Sequence, residues 1–326
     1  TVHLLDGRVE EAIVQTVRSD WNAGRAVLVC LNRVADAQRI YRLLKRQLDL
    51  KPEQDIVLLH GRFNGQDRNR KERMLLQYAG VGQRTERARP FIAVATQAVE
   101  VSLNVDFDTI YTDPAPLEAL LQRFGRVNRG RNEHTLCPVY VFREPNSVGG
   151  KNPYMPYAEA MVQRSMTVLE AHCADRAIDE SKVSEMLRNV YQDEIAEAWN
   201  AEYTAHANEF RNAILGAMKP FHSDIELRDR FYEMFDGIEV VPCDCLEQYQ
   251  DALEANGYLD ASRYLVNISA SQYREFDDYE LIRHARALEE EYVDHIEVHY
   301  SNEFGLDLDG AREEQKARRR AEGGDN

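Results

Sequence analysis

Lysine is scarce in this chain: seven residues stand against thirty-three arginines in 326 positions. That bias fits a GC-rich genome, or a salt-tolerant organism whose acidic surface stays hydrated. Acidic residues outnumber basic ones, 56 to 40, for a net charge of −16. A mainly electrostatic coat around nucleic acid is therefore excluded, although a local basic groove is not. The five cysteines are an odd number without framework spacing, which points away from a disulfide scaffold and toward a reducing cytoplasm. No apolar run approaches membrane-spanning length and the first residues show no signal-peptide pattern, so no membrane partner is expected. Also missing is any GxxxxGK[ST] loop to cradle β- and γ-phosphates, and any DExH/D cluster at a strand end to hold Mg²⁺. Asp193-Glu194 falls inside a helical pattern and reads as a solvated face.

What is present is concentrated between Pro90 and Arg131. Phe91–Ala95 and Thr109–Thr112 are short apolar runs of the kind that form buried parallel strands. Between them lies a charged loop with Glu100, Ser102, Asn104, Asp106 and Asp108. After Asp113-Pro114, Leu117, Leu120, Leu121 and Phe124 mark the inner face of a helix. If that helix runs on past Gly125, then Gln122, Arg126 and Arg129 share a second stripe. Two guanidinium groups at fixed spacing are suited to meet a phosphate. Read alone, they also fit a solvated basic helix end facing the C-terminal dipole.

The rest of the first half alternates helix and strand. Val9, Ile13, Val17 and Trp21 mark one helix; Ala26–Leu31 is a strand; Val34, Ala37, Tyr41, Leu44 and Leu48 mark the next helix. Asp55–Leu59 is a strand, Arg68–Tyr78 a polar helix, and Cys137–Phe142 a closing strand. Such alternation means an open parallel α/β sheet with right-handed crossovers. Asn32, His60, Arg62, Thr96, Gln97 and Asp113 all fall just beyond strand C-termini, the edge where open parallel sheets bind ligands. His60-Gly61-Arg62 equally fits a turn with a satisfied histidine.

The segments LVCLNRVADAQRIY, LLHGRF, ATQAVEVSLNVDFD and QRFGRVNRGR resemble successive motifs of the second RecA-like domain of superfamily 2 helicases. In particular they resemble the helicase of type I CRISPR interference, which unwinds target DNA for degradation. The resemblance is strong over about the first 145 residues. It continues weakly through FDGIEVVP, ASRYLVNIS and HYSNEFGLDLDG. It implies a RecA-like domain at 1–146; the residues beyond read as an α+β accessory domain at 147–311, and the charged, Gly-ended segment 312–326 reads as a disordered tail. It implies that Arg126 and Arg129 are arginine fingers for the γ-phosphate of ATP. Gln122, Glu100, Asn104 and Asp106 would lie at the nucleotide and hinge. Asn32, His60, Arg62, Thr96 and Gln97 would track single-stranded DNA by phosphate contacts. Where the family usually carries Asp, this chain has Asn104, which loses a charge and puts the strength of nucleotide coupling in question.

With no phosphate-binding loop, ATP and Mg²⁺ would be held mainly by a first RecA-like domain on another polypeptide segment. The chain thus reads as the C-terminal half of the helicase, inactive by itself. Further implied partners are a crRNA-guided surveillance complex and an HD nuclease in cis or in trans. The alternatives are a non-catalytic nucleic-acid or protein-binding module, or an RNA helicase of another superfamily 2 branch. The second half gives less: Asn146–Pro153 is a linker by composition. Ala158–Cys173 and Ser181–Trp199 are helical, and Ile238–Val241, Tyr264–Ile268 and Tyr292–Tyr300 are strands. His295, Glu297 and His299 alternate along the last strand and Cys243-Asp244-Cys245 is a short pair, but neither has the spacing of an established metal motif.

Overall fold

The structure is a computed structural model that describes residues 1–82, 89–100, 103–130, 136–146, 152–215, 237–286 and 292–323. Ser102, Arg131 and most of the 146–153 linker lie outside the described residues. The chain divides into two compact units, 1–61 with 67–192, and 62–66 with 193–326.

The first unit is built on a six-stranded, all-parallel sheet in the order β1-β6-β5-β2-β4-β3. The strands are β1 (Val2–Leu5), β2 (Ala26–Cys30), β3 (Ile56–Leu59), β4 (Phe91–Ala95), β5 (Thr109–Thr112) and β6 (Val139–Phe142). Every residue of β2, β3, β4 and β5 is buried. That is the consequence of helices covering both faces of a parallel sheet. The helices are α1 (Val9–Asn22), α2 (Val34–Gln47), α3 (Gly65–Ala79), α4 (Leu117–Phe124), α5 (Glu159–Cys173) and α6 (Val183–Val190). Six strands flanked in this way make a RecA-like arrangement, as the sequence pattern predicts. The edge strand β1 is an addition: four residues without a clear alternation, pinned by parallel pairing of Val2 to Val139 and Leu5 to Phe142.

Two expectations about extent differ from what is found. Helices α5 and α6 belong to the first unit rather than to an accessory domain starting at 147. Their Val168, Leu169, Cys173, Met186 and Val190 share one apolar core with Ile110, Leu117 and Leu120. The helix read as continuous from Ser181 to Trp199 breaks after Val190, where Asp193 takes a φ of 53° before a new helix, α7 (Asp193–Phe210), begins.

The second unit holds a smaller mixed sheet, order β8-β7-β10-β9, with β7 (Ile238–Pro242), β8 (Val266–Ile268), β9 (Ile282–Arg286) and β10 (Tyr292–Ile296). The segment expected to be a disordered tail from Arg312 is instead helical as far as Gly323, within Leu308–Gly323. Arg312 anchors it, 2.7 Å from Glu275 and 2.7 Å from Asp309. Among the described residues no helix is long and apolar enough to cross a membrane.

Candidate functional site

Motif residues of the first unit converge where β2, β4 and β5 end, and the residue at their centre is Arg123. It lies on the buried face of α4, three positions after Leu120 and four after Ala119, with no exposed surface. Its guanidinium donates to Glu100 Oε1 at 2.8 Å, Thr112 Oγ1 at 2.8 Å, Asn32 Oδ1 at 3.0 Å, Asp113 O at 3.4 Å and Tyr157 Oη at 3.4 Å. Burial works against the charge, but the Cys30, Glu100 and Tyr157 side chains outweigh it and the pKa is raised. Sequence reasoning passed over Arg123 because arginine is expected on the solvent side. The signal available was its position on the apolar stripe of Ala119 and Leu120.

Asp113 forms a second hub beside it. Its Oδ2 accepts the Asn32 N–H at 3.0 Å and its Oδ1 the Asn146 N–H at 3.1 Å. Asn146 Oδ1 accepts the Glu10 N–H at 2.8 Å, so one carboxylate ties the ends of β2 and β5 and the loop after β6 toward the start of α1. Burial pushes the Asp113 carboxyl up to about 7, opposed by those two N–H donors. Desolvation likewise lifts the Cys30 thiol to about 12, leaving it inert at neutral pH.

Of the residues expected to track DNA, Asn32, His60, Thr96 and Gln97 lie at strand ends of the first unit, and the Asn32 and Gln97 side chains bond to groups of that unit. The Asn32 side chain is spent on Arg123 and on Pro114 O at 2.8 Å. His60 and Thr96 are buried. Gln97 Nε2 donates to Asn32 O at 3.0 Å and to Tyr157 Oη at 3.3 Å. Arg62 belongs to the second unit, where it pairs with Asp309 at 3.2 Å; burial lowers its pKa in spite of that carboxylate. Polar groups at buried strand ends must find partners, and here they find one another.

The expected stripe of Gln122, Arg126 and Arg129 does not form. Helix α4 closes at Gly125, with Arg126 N–H to Arg123 O at 2.9 Å and Val127 N–H to Phe124 O at 3.0 Å tightening its last turn. Val127 then pairs with Phe107 as an isolated parallel bridge, which holds the chain off the helical path. Gln122 and Arg129 are exposed, whereas Arg126 is buried. Its guanidinium donates to the main-chain oxygens of Glu100 and Leu103, and Arg129 adds a bond to Leu103 O at 3.0 Å. Burial first, and repulsion from Arg129 second, lower the Arg126 pKa. Asp106 is buried and accepts the Arg129 and Gly130 N–H groups, while Asn104 is exposed. Glu100 meets Arg123 rather than open space. In this structure both arginines thus donate to carbonyls of their own unit. Among the described residues no group of three or more His, Cys, Asp or Glu side chains gathers to hold a metal.

Residues 23–132, which contain the motif residues from Asn32 to Gly130 but not Glu10, Asn146 or Tyr157, match the family described as CRISPR-associated nuclease/helicase Cas3, C-terminal. Over these residues the chain is similar to the C-terminal part of the Cas3 family. A putative CRISPR-associated nuclease/helicase Cas3 of Methanocaldococcus jannaschii is 25% identical over 270 residues, 81% of this chain and 34% of that protein. The CRISPR-associated endonuclease/helicase Cas3 of Escherichia coli strain K12 is 40% identical over 113 residues, 35% of this chain and 12% of that protein. The chain therefore spans about a third, or less, of the length of these Cas3 relatives. Crystal structures of T. fusca Cas3 share the fold: the AMPPNP complex has a TM-score of 0.61 at 22% identity, covering 84% of this chain and 36% of that one. A CRISPR RNA-guided surveillance complex in its pre-nicking state gives 0.53 at 23% identity, covering 74% and 32%.

Proposed function

We propose that this chain supplies the second RecA-like half of an ATP-dependent translocase on single-stranded DNA in type I CRISPR interference. Arg126 and Arg129 serve as its arginine fingers. The observation that supports the reading is that the motif residues from Asn32 to Gly130 fall within the 23–132 Cas3-family match, while Asn32, Glu100, Thr112, Asp113 and Arg123 converge where β2, β4 and β5 end. Nucleotide-bound Cas3 structures share this fold, which supports ATP as the ligand. The sequence has no phosphate-binding loop of its own, so the triphosphate and its Mg²⁺ sit on a first RecA-like domain and the chain alone does not turn over ATP.

In the resting arrangement the fingers are occupied by the carbonyls of Glu100 and Leu103. A terminal phosphate is a stronger, charged acceptor for the same guanidinium groups and displaces those neutral contacts. Once there, the two cations stabilise charge that spreads over the transferring phosphoryl group, an effect on the order of 10³–10⁵ in rate. Gln122, exposed on the same segment, bonds a phosphate oxygen or orients the arginines, and Asn104 faces the ribose side. The set of Asn32, Thr96, Gln97, Glu100 and Arg123 acts as the rigid frame beneath the DNA track. A crRNA-guided complex delivers the DNA and an HD nuclease cuts it.

The test is reconstitution. This chain alone should release no phosphate from ATP, and adding a Walker-loop domain from the same helicase should produce turnover stimulated by single-stranded DNA. DNA binding without any turnover in the combined protein would favour the non-catalytic module instead.

A further inference from the structure

The loop that carries Arg129 is held through its main chain rather than its side chain. Asp106 accepts the Arg129 N–H on Oδ1 at 2.9 Å and the Gly130 N–H on Oδ2 at 3.3 Å. Just before it, Asn128 takes a φ of 54°, a left-handed conformation that asparagine tolerates better than most residues. The Phe107 N–H donates to Arg126 O at 2.8 Å, so both sides of the turn are stitched to residues 106–107. The side chains are tied differently. Both guanidinium groups donate to Leu103 O, Arg126 donates to Glu100 O as well, and Arg126 Nε is buried without an acceptor among the described residues. Both kinds of bond join one ionised and one neutral group, but Arg129 has a single bond to an oxygen it shares with a second cation, whereas Asp106 holds two successive N–H groups. The loop therefore has a base fixed through its main chain and, in Arg129, an exposed arm bonded to one shared carbonyl.

We propose that Asp106 is the positioning residue of the Arg129 loop. It fixes the backbone from which Arg129 reaches, so that the side chain alone exchanges Leu103 O for an oxygen of a terminal phosphate. This rests on the reading that Arg126 and Arg129 meet such a phosphate, and it moves Asp106 from the ribose to the loop base. Substituting Asp106→Asn leaves one acceptor oxygen for two N–H donors and sets an NH₂ group against one of them. Gly130→Ala disturbs the same clasp from the other side, because its Cβ would lie 3.2 Å from Asp106 Oδ2.

Two measurements test it. Amide hydrogen exchange on this chain should show the Arg129 and Gly130 N–H groups exchanging about tenfold faster in Asp106→Asn, and faster to a lesser degree in Gly130→Ala, with the β2 and β4 amides unchanged. In the assembled helicase Asp106→Asn should lower kcat roughly tenfold to a hundredfold while KM for ATP stays within about twofold, as expected for a displaced group. Gly130→Ala, which removes no side chain, carries the same test if Asp106→Asn does not fold. Unchanged exchange at the two amides would overturn the tether. Faster exchange with unchanged kcat, where Arg129→Ala does lower kcat, would overturn the positioning role alone. If Arg129→Ala also leaves kcat unchanged, the phosphate reading itself has failed and the proposal falls with it.

Discussion

Replacing Arg123 with methionine removes the charge at the centre of the strand-end network while keeping a side chain of similar length. Glu100, whose side chain is 8% exposed, then loses the cation at 2.8 Å, and Asn32 Oδ1 and Thr112 Oγ1 lose their donor. Breaking a buried ion pair from one side typically costs about 3–5 kcal/mol, because the remaining charge is left without water and without a partner. Against a total stability of roughly 5–15 kcal/mol, that is a large fraction. For a unit of this size it corresponds to a fall in Tm of about 6–20 °C. Thermal and urea unfolding of the chain, followed by far-UV circular dichroism, reads this directly. Glu100→Gln made alone and in combination with Arg123→Met completes a double-mutant cycle. The pair should cost less than the sum of the single changes, since the second removes a charge the first had stranded. An Arg123→Met variant within about 1 kcal/mol of the parent, or a strictly additive cycle, would refute the view that the network is a structural hub.

Asp113 makes the stability of the first unit depend on pH. Its folded pKa is raised from 3.8 to about 7, so the folded state binds the extra proton between those values. The contribution is full below about pH 4 and is lost as pH rises through 7, by at most about 4 kcal/mol. Urea midpoints should therefore fall between pH 5 and pH 8, and Asp113→Asn should flatten that slope; a midpoint rising over this range in the parent would contradict it. Cysteine labelling gives an independent check on burial. Cys243 is the exposed one, and Cys30, Cys137, Cys173 and Cys245 are buried, so iodoacetamide should modify Cys243 first and reach the others only in denaturant. Early modification of Cys30, whose thiol burial has pushed to about 12, would be incompatible with the packing of β2 against β4 and β5.

The α/β alternation was legible because its signals are local. Ala26–Cys30 and Phe91–Ala95 are unbroken apolar runs, and Ala37, Tyr41 and Leu44 keep helical spacing, so length and period settle their type. The position of Asn32, His60, Thr96 and Gln97 at strand ends was legible for the same reason. Their orientation was not, because Asn32 is claimed by Arg123, 91 positions away, and by Pro114, 82 positions away. The stripe through Arg126 and Arg129 failed at one residue: Gly125 ends α4, and a bridge to Phe107, distant in sequence, takes the chain elsewhere. Likewise α5 and α6 follow a linker-like stretch yet pack in the first unit, a choice made by complementarity of apolar faces and not by linker composition.

Turnover in the assembled helicase tests the central claim most directly. With a Walker-loop domain present, DNA-stimulated ATP hydrolysis should fall on the order of 10³-fold or more in Arg126→Ala, with single-stranded DNA affinity near that of the parent. An unchanged rate in that variant would show that Arg126 holds only the carbonyls of Glu100 and Leu103 and never meets a phosphate.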